Sequence, residues 1–107
     1  MNNIREILQK IAPKKLETVL NVFVLLWQKQ ARHPEWETPG LGIYLKQGQY
    51  LAGEVIQVDF QLELLGLRVG QEADSLHLTV VPFKEIAAFT LLHLEKCPEF
   101  VTELSAF

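Results

Sequence analysis

The chain has 107 residues, of which 49% are hydrophobic and 21% are charged, and its composition excludes an intrinsically disordered chain. The length fits one domain, residues 1–107. A nucleic-acid-binding module normally carries a basic surface, but this chain has ten Lys and Arg and thirteen Asp and Glu, which disfavours that class. The high share of apolar residues predicts self-association.

The N-terminal segment, residues 1–33, carries helical periodicity. Asn3–Ile11 is predicted as a short amphipathic helix, because its isoleucines and leucine recur at helical spacing. Lys14–Arg32 is predicted as the main helix. The second half of this helix is apolar almost all round. It is therefore expected to be buried on more than one face, as a core helix or as a helix shared between subunits.

After the turn-rich linker His33–Gly40, the hydrophobic period changes from helical to extended. Five strands are predicted, at Leu41–Lys46, Gln49–Asp59, Leu62–Val69, Leu76–Val81 and Ile86–His93. Gly53 interrupts the second strand and marks a bend of the kind that small barrels require. Residues 97–107 form a tail, in which Glu99–Phe107 is a helix candidate. The predicted fold is α+β, with N-terminal helices followed by a strongly bent, five-stranded antiparallel β-barrel over residues 41–93.

Two segments of the β region follow the pattern of a known family. The first, GIYLKQGQYLAGEVIQVDFQLELLGL, has Gly48 in a turn, Gly53 at the bend and Asp59 at the end of the bent strand. The second, LHLTVVPFKEIAAFTLL, is two strands joined by a very short break. Over Leu41–Leu92 the chain resembles the Sm-like (LSm) family of small barrels, with SH3-like barrels as the structural alternative.

The chain departs from that family at the residues that bind RNA. The family's asparagine falls on Glu63, and its arginine-glycine pair falls on Pro82-Phe83. A carboxylate only accepts hydrogen bonds and repels phosphate, so no RNA-binding residue is carried over. The resemblance still implies a self-associating barrel, in which the fourth and fifth strands of neighbouring copies pair. The candidate interface residues on these strands are Leu78, Val80, Ile86 and Phe89.

Residues with catalytic or metal-binding chemistry are few and scattered. No two of the three histidines have a helical metal-ligand spacing, and glycines are single rather than clustered in a phosphate loop. His93 and Cys97 form a conceivable dyad without an orienting third group. Asp59 and Glu63 form a conceivable carboxylate pair, although a turn acceptor and a solvated side chain are the simpler interpretation. No catalytic, cofactor or metal site is therefore predicted.

Four aromatic residues surround the predicted junction of helix and barrel: Phe23, Trp27, Trp36 and Tyr44. The simpler interpretation is a packed hinge. The functional one is an apolar groove that receives a partner helix or peptide.

The sequence thus favours a non-catalytic, homo-oligomeric scaffold or adaptor that acts through protein–protein contacts. A divergent RNA-binding protein using Lys46, Arg68 and Lys84 is the first alternative, and a small ligand-binding protein or enzyme is the second. The single cysteine excludes an intrachain disulfide, and the polar N-terminus predicts no signal peptide. We therefore expect a cytoplasmic protein without a cofactor or a membrane span.

Overall fold

The computed structural model of the chain describes residues 15–70 and 77–106. They fall into two compact units. The first unit, which we call the helical unit, contains the described residues up to Thr38 and those from Leu94 onward. The second, which we call the sheet unit, contains the described residues of Pro39–His93. The α+β class is confirmed, with two α-helices and a five-stranded antiparallel sheet. The helix predicted at Asn3–Ile11 lies outside the described residues.

The helical unit contains α1 (Leu16–Lys29) and α2 (Pro98–Ser105), with a 3-10 turn at Leu94–Lys96. The fully buried residues of α1 lie on one broad side: Val19, Leu20, Val22, Phe23 and Leu26. α1 ends before the predicted Arg32. The chain forms a turn ahead of Pro34, which disfavours helical backbone in the residue before it.

The two helices pack through aromatic rings. Phe23 and Phe100 are fully buried, and their ring centroids lie 4.8 Å apart in an edge-to-face arrangement. Trp27 lies next to Phe23 with a centroid distance of 6.2 Å. Lys29 Nζ, at the end of α1, donates to a carboxylate oxygen of Glu103 in α2. This ion pair is partly exposed, so burial of the rings contributes more to the packing than the charges do.

The sheet unit contains five strands, in the order β4-β3-β2-β1-β5 across the sheet, and every pair of neighbours is antiparallel. The strands are β1 (Gly40–Leu45), β2 (Tyr50–Asp59), β3 (Leu64–Val69), β4 (His77–Pro82) and β5 (Ile86–Leu92). Each overlaps a strand predicted from the sequence. Apolar residues from β1 to β4 form the buried side of the sheet: Leu41, Ile43, Val55, Leu65, Leu67 and Val81.

β2 is shared between two ladders and changes partner at Gly53. Its first half pairs with β1 as far as Gly53, and its second half pairs with β3 from Glu54 onward. A Cβ atom on Gly53 would overlap the backbone carbonyl of Arg68, so only glycine allows this approach. A register shift between Val55 and Gln57 adds a second irregularity. The glycine that was predicted to mark a bend is thus the residue at which β2 changes partner, and the close approach of Arg68 requires its missing side chain.

Closure of the sheet into a barrel is not confirmed. In the described part of the chain, β4 and β5 are the two edges, and no ladder joins them. β4 ends at Pro82, which lacks an N–H group, and a 3-10 turn at Phe83–Glu85 leads into β5. β5 then pairs with β1. The described strands therefore form one sheet with two open edges.

The turn between β2 and β3 begins after Asp59, as predicted, but runs two residues further than predicted. Leu62, expected to begin β3, lies in this turn, where its N–H donates to Asp59 Oδ1 at 2.9 Å. Glu63 follows with a positive φ of 56°, a conformation that interrupts an extended strand. The strand therefore begins at Leu64. The hydrogen bond also confirms Asp59 as a turn acceptor.

We predict that Gly53→Ala lowers the free energy of unfolding by about 2–3 kcal/mol, because the added methyl group meets backbone and the ladder must shift. Gly66→Ala is the matched control. Its Cβ would lie 3.4 Å from Leu78 Cδ1, an ordinary contact, so the expected loss is below about 1 kcal/mol. Urea unfolding followed by circular dichroism measures both. Equal losses for the two variants would contradict a special role for Gly53.

Candidate functional site

Edge strand β4 exposes two large apolar side chains. Leu78 and Val80 are 53% and 55% exposed, whereas Val81 between Val80 and the strand end is buried. In the ladder with β3, Val80 pairs with Gly66. Leu78 Cδ1 lies next to the same glycine, 3.4 Å from the position that a Cβ atom would take there. Because Gly66 has no side chain, β3 offers no side chain directly opposite Val80, whereas Leu78 stands opposite Arg68. We call Leu78 and Val80 the β4 patch.

Neither edge strand carries the charged residues that usually guard a sheet edge. β4 (HLTVVP) has His77 as its single titratable residue, and β5 (IAAFTLL) has none. Natural proteins protect edges with lysines, prolines, bulges or covering elements. Here Pro82 protects only the end of β4, and a register irregularity affects β5 opposite Tyr44 and Leu45. The side chains of both edges are compatible with strand addition.

The candidate interface residues divide equally between the two edges. Leu78 and Val80 lie on β4, while Ile86 and Phe89 lie on β5, where they pair in register with Leu45 and Ile43 of β1. Ile86 and Phe89 are half-buried, in contrast to the β4 patch. The structure therefore places these four residues on two different surfaces, one at each side of the sheet. Their role in assembly stays a prediction.

A cavity of about 290 Å³ lies beside the end of β4. Its walls come from three separate stretches of the sheet unit: Leu45, Gln47, Gln49, Leu51, Thr79, Val80, Val81, Pro82 and Glu85. Five of these nine residues are apolar, and one is a carboxylate. The sequence does not indicate this cavity, because no local pattern links the turn after β1 to the end of β4.

The two segments that the family resemblance associates with RNA binding are neighbours in the structure. The N–H of Phe83 donates to the carbonyl of Glu63 at 2.9 Å. The Phe60 and Phe83 rings also meet edge-to-face, with centroids 6.2 Å apart. The position is thus occupied by a carboxylate residue and phenyl rings, a combination poorly suited to phosphate.

The basic residues named for the RNA-binding alternative have acidic neighbours. The N–H of Lys46 donates to the carbonyl of Glu85, which directly follows Lys84. Arg68 pairs in register with Glu54 across the β2–β3 ladder. These carboxylates reduce the positive potential at each basic side chain. No observation in the described residues favours RNA binding, and that alternative stays untested.

The aromatic residues proposed to line a partner groove occur in separate pairs. Phe23 and Trp27 belong to the core side of the helical unit. Trp36 stacks on His33, with centroids 4.2 Å apart and planes 7° from parallel. Tyr44 lies in the sheet unit beside Tyr50, at a centroid distance of 4.7 Å. Since Phe23 is fully buried, it cannot present a surface to a partner, and only the other three remain candidates.

The titratable residues do not form an obvious catalytic group. In residues 15–70 and 77–106, no cluster of three or more His, Cys, Asp or Glu side chains could hold a metal ion. His33 stands beside Glu35, with Nδ1 3.6 Å from Oε1, while His77 and His93 are exposed at a strand start and a strand end. Burial raises the pKa of the Cys97 thiol, and the carboxylates of Glu37, Glu95 and Glu99 raise it further, against a smaller lowering by Lys96. A thiol with a raised pKa is a poor nucleophile near neutral pH.

Comparison with known proteins gives no relative for this chain. No family model matches it, and neither a curated protein nor a solved structure does. Within the described residues, no helix has the length and apolar character needed to span a bilayer.

We predict that native Cys97 reacts slowly with iodoacetamide at neutral pH. Its pH–rate profile should have a midpoint above the ordinary value of a cysteine, because burial and nearby carboxylates favour the protonated thiol. Protein unfolded in urea serves as the control, and its profile should return to the ordinary midpoint. The raised pKa also means that the thiol stabilises the fold at lower pH and loses this contribution as the pH rises through its folded pKa. A native midpoint at or below that of unfolded protein would contradict the prediction.

Proposed function

We propose that this chain is a cytoplasmic, non-catalytic scaffold or adaptor, a divergent Sm-like module that assembles into homo-oligomers through its edge strands. The observation that carries the proposal is the combination of uncharged edges and the exposed β4 patch. An edge strand with unpaired backbone groups, exposed apolar side chains and few guarding charges is a template for another strand.

In the proposed assembly, β4 of one copy pairs with β5 of the next. The two edges are different surfaces, so the contact is heterologous, and repeating it gives a ring where the rotation closes or a filament where it does not. Each copy then binds two neighbours. Barrel-like closure of the sheet would be completed by the strand of a neighbour rather than within one chain.

The expected energies make a single edge contact weak. Burying the exposed halves of Leu78 and Val80 contributes about 1 kcal/mol each. A ladder along the six residues of β4 adds backbone hydrogen bonds, each worth about 1 kcal/mol net. Association costs about 4–15 kcal/mol in lost translational and rotational freedom. An isolated pair would therefore dissociate readily, whereas a closed ring gains one further contact without a further association step.

We predict that Val80→Lys and Ala88→Glu each abolish assembly, because each places a charge on one edge strand. Each variant keeps the other edge intact. Because a single edge contact is weak, an equimolar mixture should form a one-to-one heterodimer only at high concentration, whereas each variant alone stays monomeric at every concentration. Sedimentation velocity at several concentrations measures the three samples and the unmodified chain.

Leu62→Lys is the matched control for this experiment. Leu62 is 66% exposed, more than either residue of the β4 patch, but it lies in the β2–β3 turn rather than on an edge strand. Assembly of this variant should match that of the unmodified chain. A strictly monomeric unmodified chain would refute the proposal, as would equal disruption by Leu62→Lys. A mixture that associates no more than either variant alone at the highest concentration would refute it as well.

A further inference from the structure

The helical unit contains a second cavity with a different chemistry. Its volume is about 300 Å³, and its walls are formed by Trp36, Pro98, Glu99, Thr102 and Glu103. The indole and the proline ring supply flat apolar surface, while two glutamates supply carboxylates. We call it the Trp36 cavity. None of these lining residues belongs to an edge strand, and nothing in the self-association proposal depends on this cavity.

Trp36 is held in place by three interactions. His33 stacks on one face of the indole, at a centroid distance of 4.2 Å and with the planes nearly parallel. The N–H of Trp36 donates to the carbonyl of His33 at 3.0 Å, and Gln30 Nε2 donates to the carbonyl of Trp36 at 2.8 Å. The aromatic wall is therefore fixed before a ligand arrives, which reduces the entropy lost on binding.

The carboxylates of the cavity differ in their ionic partners. Glu99 and Glu103 are one helical turn apart on α2, so both lie on the same side of it. Lys29 neutralises Glu103. Glu99 makes no ion pair with any residue from 15–70 or 77–106. Three carboxylates, those of Glu37, Glu95 and Glu99, and one ammonium, that of Lys96, act on the thiol of Cys97, so negative charges outnumber positive ones around it.

Thr102 adds no competing donor to this arrangement. Its hydroxyl donates to the carbonyl of Pro98 at 3.0 Å, within the first turns of α2. The cavity thus combines a fixed indole, a proline ring and an acceptor, the Glu99 carboxylate, that lacks a described cationic partner. An anionic ligand would be repelled, and a neutral apolar ligand would desolvate the carboxylate without replacing its hydrogen bonds.

We infer that the Trp36 cavity binds the guanidinium group of an arginine side chain presented by a partner protein. A guanidinium is planar and weakly hydrated, and it can stack on an indole while it donates paired hydrogen bonds to a carboxylate. A lysine ammonium attracts the carboxylate but cannot stack in this way. The inference identifies the chemistry of the partner and concerns the helical unit alone.

The experiment uses the full chain with Trp27→Phe, which leaves Trp36 as the single fluorescent tryptophan. The probes are N-acetyl amides of arginine, citrulline and lysine. Arginine amide should change the Trp36 emission with a Kd of about 1–10 mM, the range of a single side chain without its protein. Citrulline amide, which keeps the planar shape without the charge, should bind about tenfold more weakly or not at all, and lysine amide severalfold more weakly.

Glu99→Gln tests the carboxylate and should weaken binding of arginine amide about tenfold. Glu95→Gln is the matched control, because Glu95 is exposed and lies outside the cavity, and it should leave the Kd unchanged within about twofold. Thermal melting verifies that both variants are folded.

Each remaining outcome overturns the inference. Equal affinity for lysine and arginine amides would show simple charge attraction at the surface. Equal affinity for citrulline and arginine amides would show that the positive charge does not contribute to binding. An equal effect of Glu95→Gln and Glu99→Gln would place binding elsewhere in the acidic surroundings. Absence of an emission change with saturating arginine amide, confirmed by an unshifted indole N–H resonance, would show that the cavity does not bind guanidinium.

Discussion

The close approach of the β2 backbone to β3 at Gly53 is the constraint on which the sheet depends. Because a side chain at this position would overlap the carbonyl of Arg68, glycine alone lets β2 pass from the β1 ladder to the β3 ladder. Each of the two ladders contributes buried apolar side chains, such as Leu41 from β1 and Leu65 from β3. The passage of β2 at Gly53 therefore connects two ladders that both contribute to the core.

The strand order determines which strands lie at the outside of the sheet. Among the described strands, β1, β2 and β3 each have a neighbour on both sides, and β4 and β5 are the two outer strands. These strands lack charged residues apart from His77, whereas β2 and β3 carry Glu54, Asp59 and Arg68. Edge strands would normally hold the guarding charges. Here the inner strands carry the charged residues and the edge strands do not. The stability of a single copy does not require this distribution, which therefore supports the proposed assembly.

The sequence predicted secondary structure more successfully than closure or cavities. All five strands lie where alternation and turn residues indicated, since the side-chain period of a strand is local. The start of β3 was misplaced because Leu62 is apolar, although Asp59 and the left-handed Glu63 make it a turn residue. Both cavities combine residues distant in sequence. The sequence indicates Trp36 as a member of an aromatic group. That Trp36 and Glu99 line the same cavity depends on the tertiary position of α2. No local pattern contains that information.

The edge strands and the Trp36 cavity differ in chemistry and therefore suit different partners. The sheet edges offer backbone groups and apolar side chains, which suit an identical strand because a neighbouring copy supplies the complementary edge. The Trp36 cavity offers an indole and a carboxylate, which discriminate by charge and shape and suit a different protein. An assembly built through the edges would display one such cavity for each copy. Individually weak arginine contacts would then add up, because linked sites raise the effective concentration of every further contact.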